Sequence, residues 1–96
     1  MRNRYIVTYD ITDDDRRNNV FRALRGHGDH LQYSVFRCDL SAAERIMLVA
    51  ELHPLIDHAM DQILVIDLGP VDGRAGTCVD AIGRRYIAPE RTVVVI

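Results

Sequence analysis

Apolar residues run through Tyr5-Ile6-Val7-Thr8-Tyr9 with weak alternation and stop on Asp10, which predicts a β-strand from about Arg4 to Asp10. Asp13-Asp14-Asp15 then open a helix reaching to about His27. Val20, Phe21 and Leu24 form its apolar face, and Gly26-His27-Gly28 supplies the stop. The three acids sit at the positive end of the helix dipole and read as capping and dipole-complementing groups. From Asp29 to Leu40 the chain is extended, as one long strand or two short ones bent near Tyr33. Ser41 caps a second helix, and Glu44, three residues on, completes a capping box. Leu48, Leu52, Leu55 and Ala59 lie along one face of this helix, with Val49 and Ile56 beside them, and Pro54 either kinks it or starts a short second piece.

Gln62 to Leu68 is almost continuously apolar, which predicts a central strand buried on both faces. Gly69-Pro70 ends it, and Cys78 to Ile82 is a weaker strand candidate. The chain closes on Thr92-Val93-Val94-Val95-Ile96, a β-branched run with no polar break. The order β-α-β-(β)-α-β predicts an α+β sandwich, one domain over residues 1–96, with two helices on one face of an antiparallel sheet. The closing run is left over. An exposed apolar edge strand invites pairing with another chain, so a homodimer that exchanges or docks this tail is expected.

No apolar stretch approaches the roughly 20 residues of a membrane span. Met1-Arg2-Asn3-Arg4 leads directly into a short β-like run, unlike a signal sequence, so a cytoplasmic protein is expected. Cys38 and Cys78 stand far apart in no motif, which excludes a disulfide framework or a zinc spacing. All 12 basic residues are arginine. Guanidinium forks suit phosphates and carboxylates, although a GC-rich genome would leave the same mark. The net charge of −2 is not that of a strong nucleic-acid binder. Residues 1–40 nevertheless hold seven Arg against six acids, a balance of +1, and residues 41–96 hold five against eight, a balance of −3. Any anion-binding face is therefore expected mainly in the N-terminal half.

Asp10 ends the first strand beside a helix start carrying Arg16 and Arg17. Ligands and metals bind at such strand ends in α/β proteins. The plainer alternative is a turn acid that helps the chain enter the helix. Arg16 and Arg17 lie one turn away and either clamp a phosphate or pair with Asp13 or Asp14. Arg2, Arg4, Arg22, Arg25 and Arg37 are candidates for salt-sensitive backbone contacts to nucleic acid. His27 and His30 form a weak H-x-x-H metal signal that reads more simply as a surface pair. His53 and His58 carry no motif. Phe36 reads as core, and Tyr9 and Tyr33 as packing near the site. Ser34 has no His/Asp partner at recognisable spacing, which excludes a serine nucleophile.

Tyr9-Asp10-Ile11-x-Asp13 with Arg16-Arg17, then Gly28, then Gln32-x-Ser34-Val35-Phe36, then Asp61-x-Ile63, together resemble the second CRISPR-associated protein family over roughly residues 4–68. This family is the small dimeric subunit of the spacer-acquisition complex. The resemblance implies a ferredoxin-like βαββαβ sandwich with an extra C-terminal strand, about residues 92–96, docking on the partner of a homodimer. It implies a magnesium-dependent (or manganese-dependent) endonuclease acting on RNA or DNA, and a duplex-holding core between copies of a larger integrase subunit. The family's catalytic, metal-binding acid falls on Asp10, and its neighbours fall on Tyr9, Arg17, Ser34 and Phe36. Two departures stand out: Arg37 replaces the acid that usually follows Ser-Val-Phe, and His30 replaces a basic residue before the glutamine. The second would make a phosphate contact there pH-dependent.

A single carboxylate binds Mg²⁺ poorly, because that ion keeps most of its waters. A two-fold axis that brings Asp10 near its symmetry mate would supply a paired site able to activate water for phosphodiester attack. The rival expectations are a non-catalytic scaffold that holds duplex DNA and bridges integrase subunits, and a toxin-like interferase acting on RNA.

Overall fold

The computed structural model describes residues 1–88. Its elements follow in the order β1 (Asn3–Asp10), α1 (Asp14–Arg25), β2 (Asp29–Gln32), β3 (Val35–Leu40), α2 (Ala42–Leu52), a 3-10 turn (His53–Leu55), β4 (Gln62–Pro70) and a second 3-10 turn (Arg74–Gly76). The strands form one antiparallel sheet in the order β2-β3-β1-β4. This is the expected α+β sandwich, with both helices on one face.

Strand periodicity explains what β1 does. Tyr5, Val7 and Tyr9 are buried on the helix side, so Arg4, Ile6, Thr8 and Asp10 take the opposite face. Phe36, Cys38 and Leu40 of β3 continue the core, which Val20 and Leu24 of α1 and Leu48 and Leu52 of α2 close from above. Asp13 caps α1 by accepting from Arg16 N at 2.9 Å, and Asp14 and Asp15 stand in the first turn. The helix ends at Arg25, two residues before the expected limit, because Gly26 and His27 turn their amides back to Ala23 and Leu24. The extended segment resolves into two strands at Tyr33-Ser34, where Ser34 takes φ +63°. That left-handed conformation is uncommon outside glycine, asparagine and aspartate.

Glu44 completes the capping box on Ser41 and also receives Arg2 Nε at 2.8 Å. The Arg2 hydrogen bond, with the Ser41 backbone N–H next in weight, lowers the Glu44 carboxyl to about 2. A depressed folded-state pKa stabilises the fold above the unfolded value, about 4.3. That contribution is lost as the pH falls through the folded value. Both side chains are well exposed, so the effect is modest. Urea midpoints measured between about pH 5 and about pH 2 should fall less steeply for Arg2→Ala than for the wild type. Parallel slopes would refute this role for the pair.

Three expectations change. Among the described residues β4 is not central but the edge of the sheet, with Leu64 and Ile66 still 47% and 44% exposed. A continuous apolar run states that both faces avoid water; it does not say that the same chain covers both. Cys78–Ile82 forms no strand, and Ile82 is fully exposed. The second helix stops at Leu52, since Pro54 starts the 3-10 turn, so Ala59 lies in an exposed turn and not on the helix. Cys38 is buried and Cys78 exposed, and neither is in a disulfide. The closing run Thr92–Ile96 lies outside the described residues.

Candidate nucleic-acid site at the end of the first strand

Asp10 is exposed and lies opposite Gln62 at the end of β1, on the sheet face away from the helices. The same face carries the cross-strand neighbours Thr8 with Val35 and Leu64, and Ile6 with Ile66. Asp10 therefore stands at the rim of an apolar, half-exposed band. Among the described residues no group of three or more His, Cys, Asp or Glu side chains converges to hold a metal. One exposed carboxylate still fits the habit of Mg²⁺, which is bound through one or two carboxylates, several waters and substrate phosphates.

Tyr9, the adjacent residue, faces the other way. Its amide donates to the Ser34 carbonyl at 3.2 Å, tying the strand end to the β2–β3 turn. Tyr9, Arg17, His30 and Ser34 meet around a depression of about 260 Å³ between α1 and that turn, joined by Asn18, Phe21 and Tyr33. Burial pushes the Tyr9 phenol up, Tyr33 adds to this, and Arg17 with a Ser34 hydrogen bond opposes it. Phe36 is wholly buried beneath, 5.0 Å from His30 and 5.4 Å from Phe21 between ring centroids.

The arginines divide sharply. Arg16 gives a two-pronged hydrogen bond, at 2.7 and 3.1 Å, to Asp61, a carboxylate with no exposed side-chain surface. Arg16 thereby holds the Asp61 pKa down, and Asp61 in turn accepts from Asp57 N. This arginine joins α1 to the turn before β4, and also lies 3.9 Å from Asp13. Arg17 donates to the carbonyls of Ile11 and Thr12 and pairs with Asp14, one of its two expected partners. Its side chain remains about a quarter exposed, at 27%. Arg37 is 6% exposed and lies 3.6 Å from Asp29 across the β2–β3 ladder, which corrects the expectation of a surface cation. Arg4 forks onto Asp39, and Arg2 pairs with Glu44. Arg22 and Arg25 lie on the exposed side of α1, the latter 5.7 Å over Phe21.

His27 contacts Glu51 at 2.6 Å while His30 leans on Phe21, so the H-x-x-H pair does not converge. Asp61, Asn18 and Phe21 were not expected at these places. Asn18 and Phe21 lie one and four residues after Arg17, a helical spacing that places all three along adjoining stripes of α1.

A ferredoxin-like sandwich with an acid at the end of its first strand, beside a turn lined by Tyr, His and Arg, defines a small class of α+β proteins. A family model described as CRISPR associated protein Cas2 matches residues 2–72. The chain belongs to this family. It is 37% identical over 92 residues to CRISPR-associated endoribonuclease Cas2 1 of Rhodospirillum rubrum, covering 96% of this chain and 89% of that protein. It is 34% identical over 96 residues to CRISPR-associated endoribonuclease Cas2 of Geobacter sulfurreducens, covering the whole of both. Among solved structures it superimposes on Streptococcus pyogenes Cas2 with a TM-score of 0.71 and 27% identity, covering 83% of this chain and 99% of that one. A hypothetical protein of Thermus thermophilus gives a TM-score of 0.78 at 26% identity, covering 91% and 98%. No helix among the described residues is long and apolar enough to cross a membrane.

Proposed function

We propose that this Cas2-family chain is a metal-dependent endonuclease that works as a homodimer in CRISPR spacer acquisition, with Asp10 from two copies forming one site. The observation that carries this reading is the place of Asp10, exposed at the rim of an apolar sheet face on which Leu64 and Ile66 stay nearly half exposed. Relatives named as endoribonucleases support the phosphodiester chemistry. When bound, Mg²⁺ or Mn²⁺ supplies positive charge at the phosphate and acidifies a water. The protein's own part is to hold two carboxylates at fixed positions and to bring the phosphate to them. Arg17, already fixed by two carbonyls, offers its remaining exposed edge to the backbone, while Arg22 and Arg25 add a longer-range attraction.

Purified protein incubated with labelled single-stranded RNA and duplex DNA, with Mg²⁺ or EDTA, tests the reading. Cleavage that requires the metal supports it and names the substrate. No cleavage of either by a folded dimer overturns it. The second reading, a duplex-holding scaffold that bridges copies of the larger integrase subunit, is favoured by the single carboxylate that each chain brings. The dimer itself is tested by removing residues 92–96: we expect monomer or aggregate on sizing chromatography, and an unchanged dimer would sink the tail-docking arrangement.

A further inference from the structure

The depression on the helix side of the sheet is not explained by chemistry at Asp10, which faces the other way. Its volume of about 260 Å³ lies just below that of pockets for drug-sized ligands, roughly 300–1,000 Å³, so it suits a group of one or two rings. Phe21 and His30 meet edge to face on one side, 5.1 Å between centroids. Tyr33 lines the depression from the turn, is 82% exposed, and touches no other ring among the described residues. The tight turn at Ser34 fixes the backbone beside it. A large aromatic face held in water on a short, ordered turn is a platform awaiting a flat partner. Asn18 brings an amide with both donor and acceptor to the wall, the pairing that reads a base edge. Arg17 supplies a cation at the mouth.

We infer that this depression is a subsite for one unpaired nucleobase, with Tyr33 stacked on its face, Asn18 on its edge and Arg17 on the adjoining phosphate. The inference rests on the nucleic-acid reading above and narrows it to a single strand, because a base inside a duplex already has both its faces and its edge engaged.

Fluorescence anisotropy with a labelled oligoribonucleotide, free or annealed to its complement, tests this in EDTA, where binding is read without cleavage. Wild type should prefer the free strand. Tyr33→Ala should weaken that binding roughly five- to a hundredfold and leave duplex binding unchanged, while Tyr33→Phe keeps wild-type affinity. Asn18→Leu should weaken free-strand binding in the same direction and serves should Tyr33→Ala fail to fold. Equal binding of free strand and duplex by wild type, unchanged free-strand binding by a folded Tyr33→Ala, or equal losses on both ligands would overturn the subsite. The outcomes separate from those of the nuclease assay. Tyr33-dependent binding without metal-dependent cleavage keeps the subsite and removes the nuclease. Metal-dependent cleavage with Tyr33-independent binding does the reverse.

Discussion

Asp10→Ala should abolish metal-dependent cleavage while leaving the melting temperature unchanged. Asp10 is exposed, makes no side-chain hydrogen bond or ion pair among the described residues, and ends its strand, so its removal costs the fold little. Losing an outer-shell partner of a metal typically costs 10–100-fold, so losing the carboxylate itself should cost more than about a hundredfold. Mixing sharpens the test. Wild-type and Asp10→Ala chains, unfolded together in equal amounts and refolded, form two-fold dimers at random. If one site needs both carboxylates, activity should fall to about a quarter, the share of dimers with two intact chains. Independent sites would leave about half, and that result would break the paired-site arrangement while sparing the role of Asp10.

Gly28→Ala should be the most damaging small substitution outside the site. Gly28 precedes β2, is buried, and donates its amide to Leu24 O at 2.9 Å. A Cβ there would lie 2.4 Å from the Arg37 carbonyl oxygen and 2.4 Å from Cys38 Sγ. The first obstacle is backbone of the neighbouring strand and cannot rotate away, so either the β2–β3 pairing or the end of α1 must shift. Overpacking of this kind costs about 3 kcal/mol. In a domain this size each kcal/mol lowers Tm by about 4–8 °C, so a fall of more than about 10 °C is expected in a thermal melt. Cys38→Ala added to Gly28→Ala should recover part of the loss, because it removes only the sulfur. A Tm within about 2 °C of wild type for Gly28→Ala alone would show that the strand can yield.

The parts of the molecule set by local rules were readable from the chain. Ser41 and Glu44 make their capping box, Asp13 caps α1, and the period-two burial of Tyr5, Val7 and Tyr9 puts Asp10 on the opposite face. Phe36 lies in the core as its surroundings implied. What was not readable depends on long-range geometry. Arg16 lies 3.9 Å from Asp13, as helical spacing allows, but its fork closes on Asp61, 45 residues away, a partner that only the tertiary fold supplies. Arg37 and Asp29 are separated by a turn whose geometry, not its composition, puts them across from each other. β4 read as central because its run is almost continuously apolar, yet composition alone does not say which strands flank it. Helical spacing put Asn18 beside Arg17 and Phe21, but only the Tyr33-Ser34 turn completes the depression around it.

The apolar outer face of the sheet has a thermodynamic consequence. If two copies associate through this face as proposed, part of the stabilisation that the nearly half-exposed Leu64 and Ile66 can provide becomes available only on association. Folding and association are then linked by mass action, so the melting temperature becomes a function of protein concentration. Each tenfold dilution removes about 1.4 kcal/mol per mole of dimer. In that arrangement a stability has meaning only beside the concentration at which it was measured, and the melting temperature should fall on dilution.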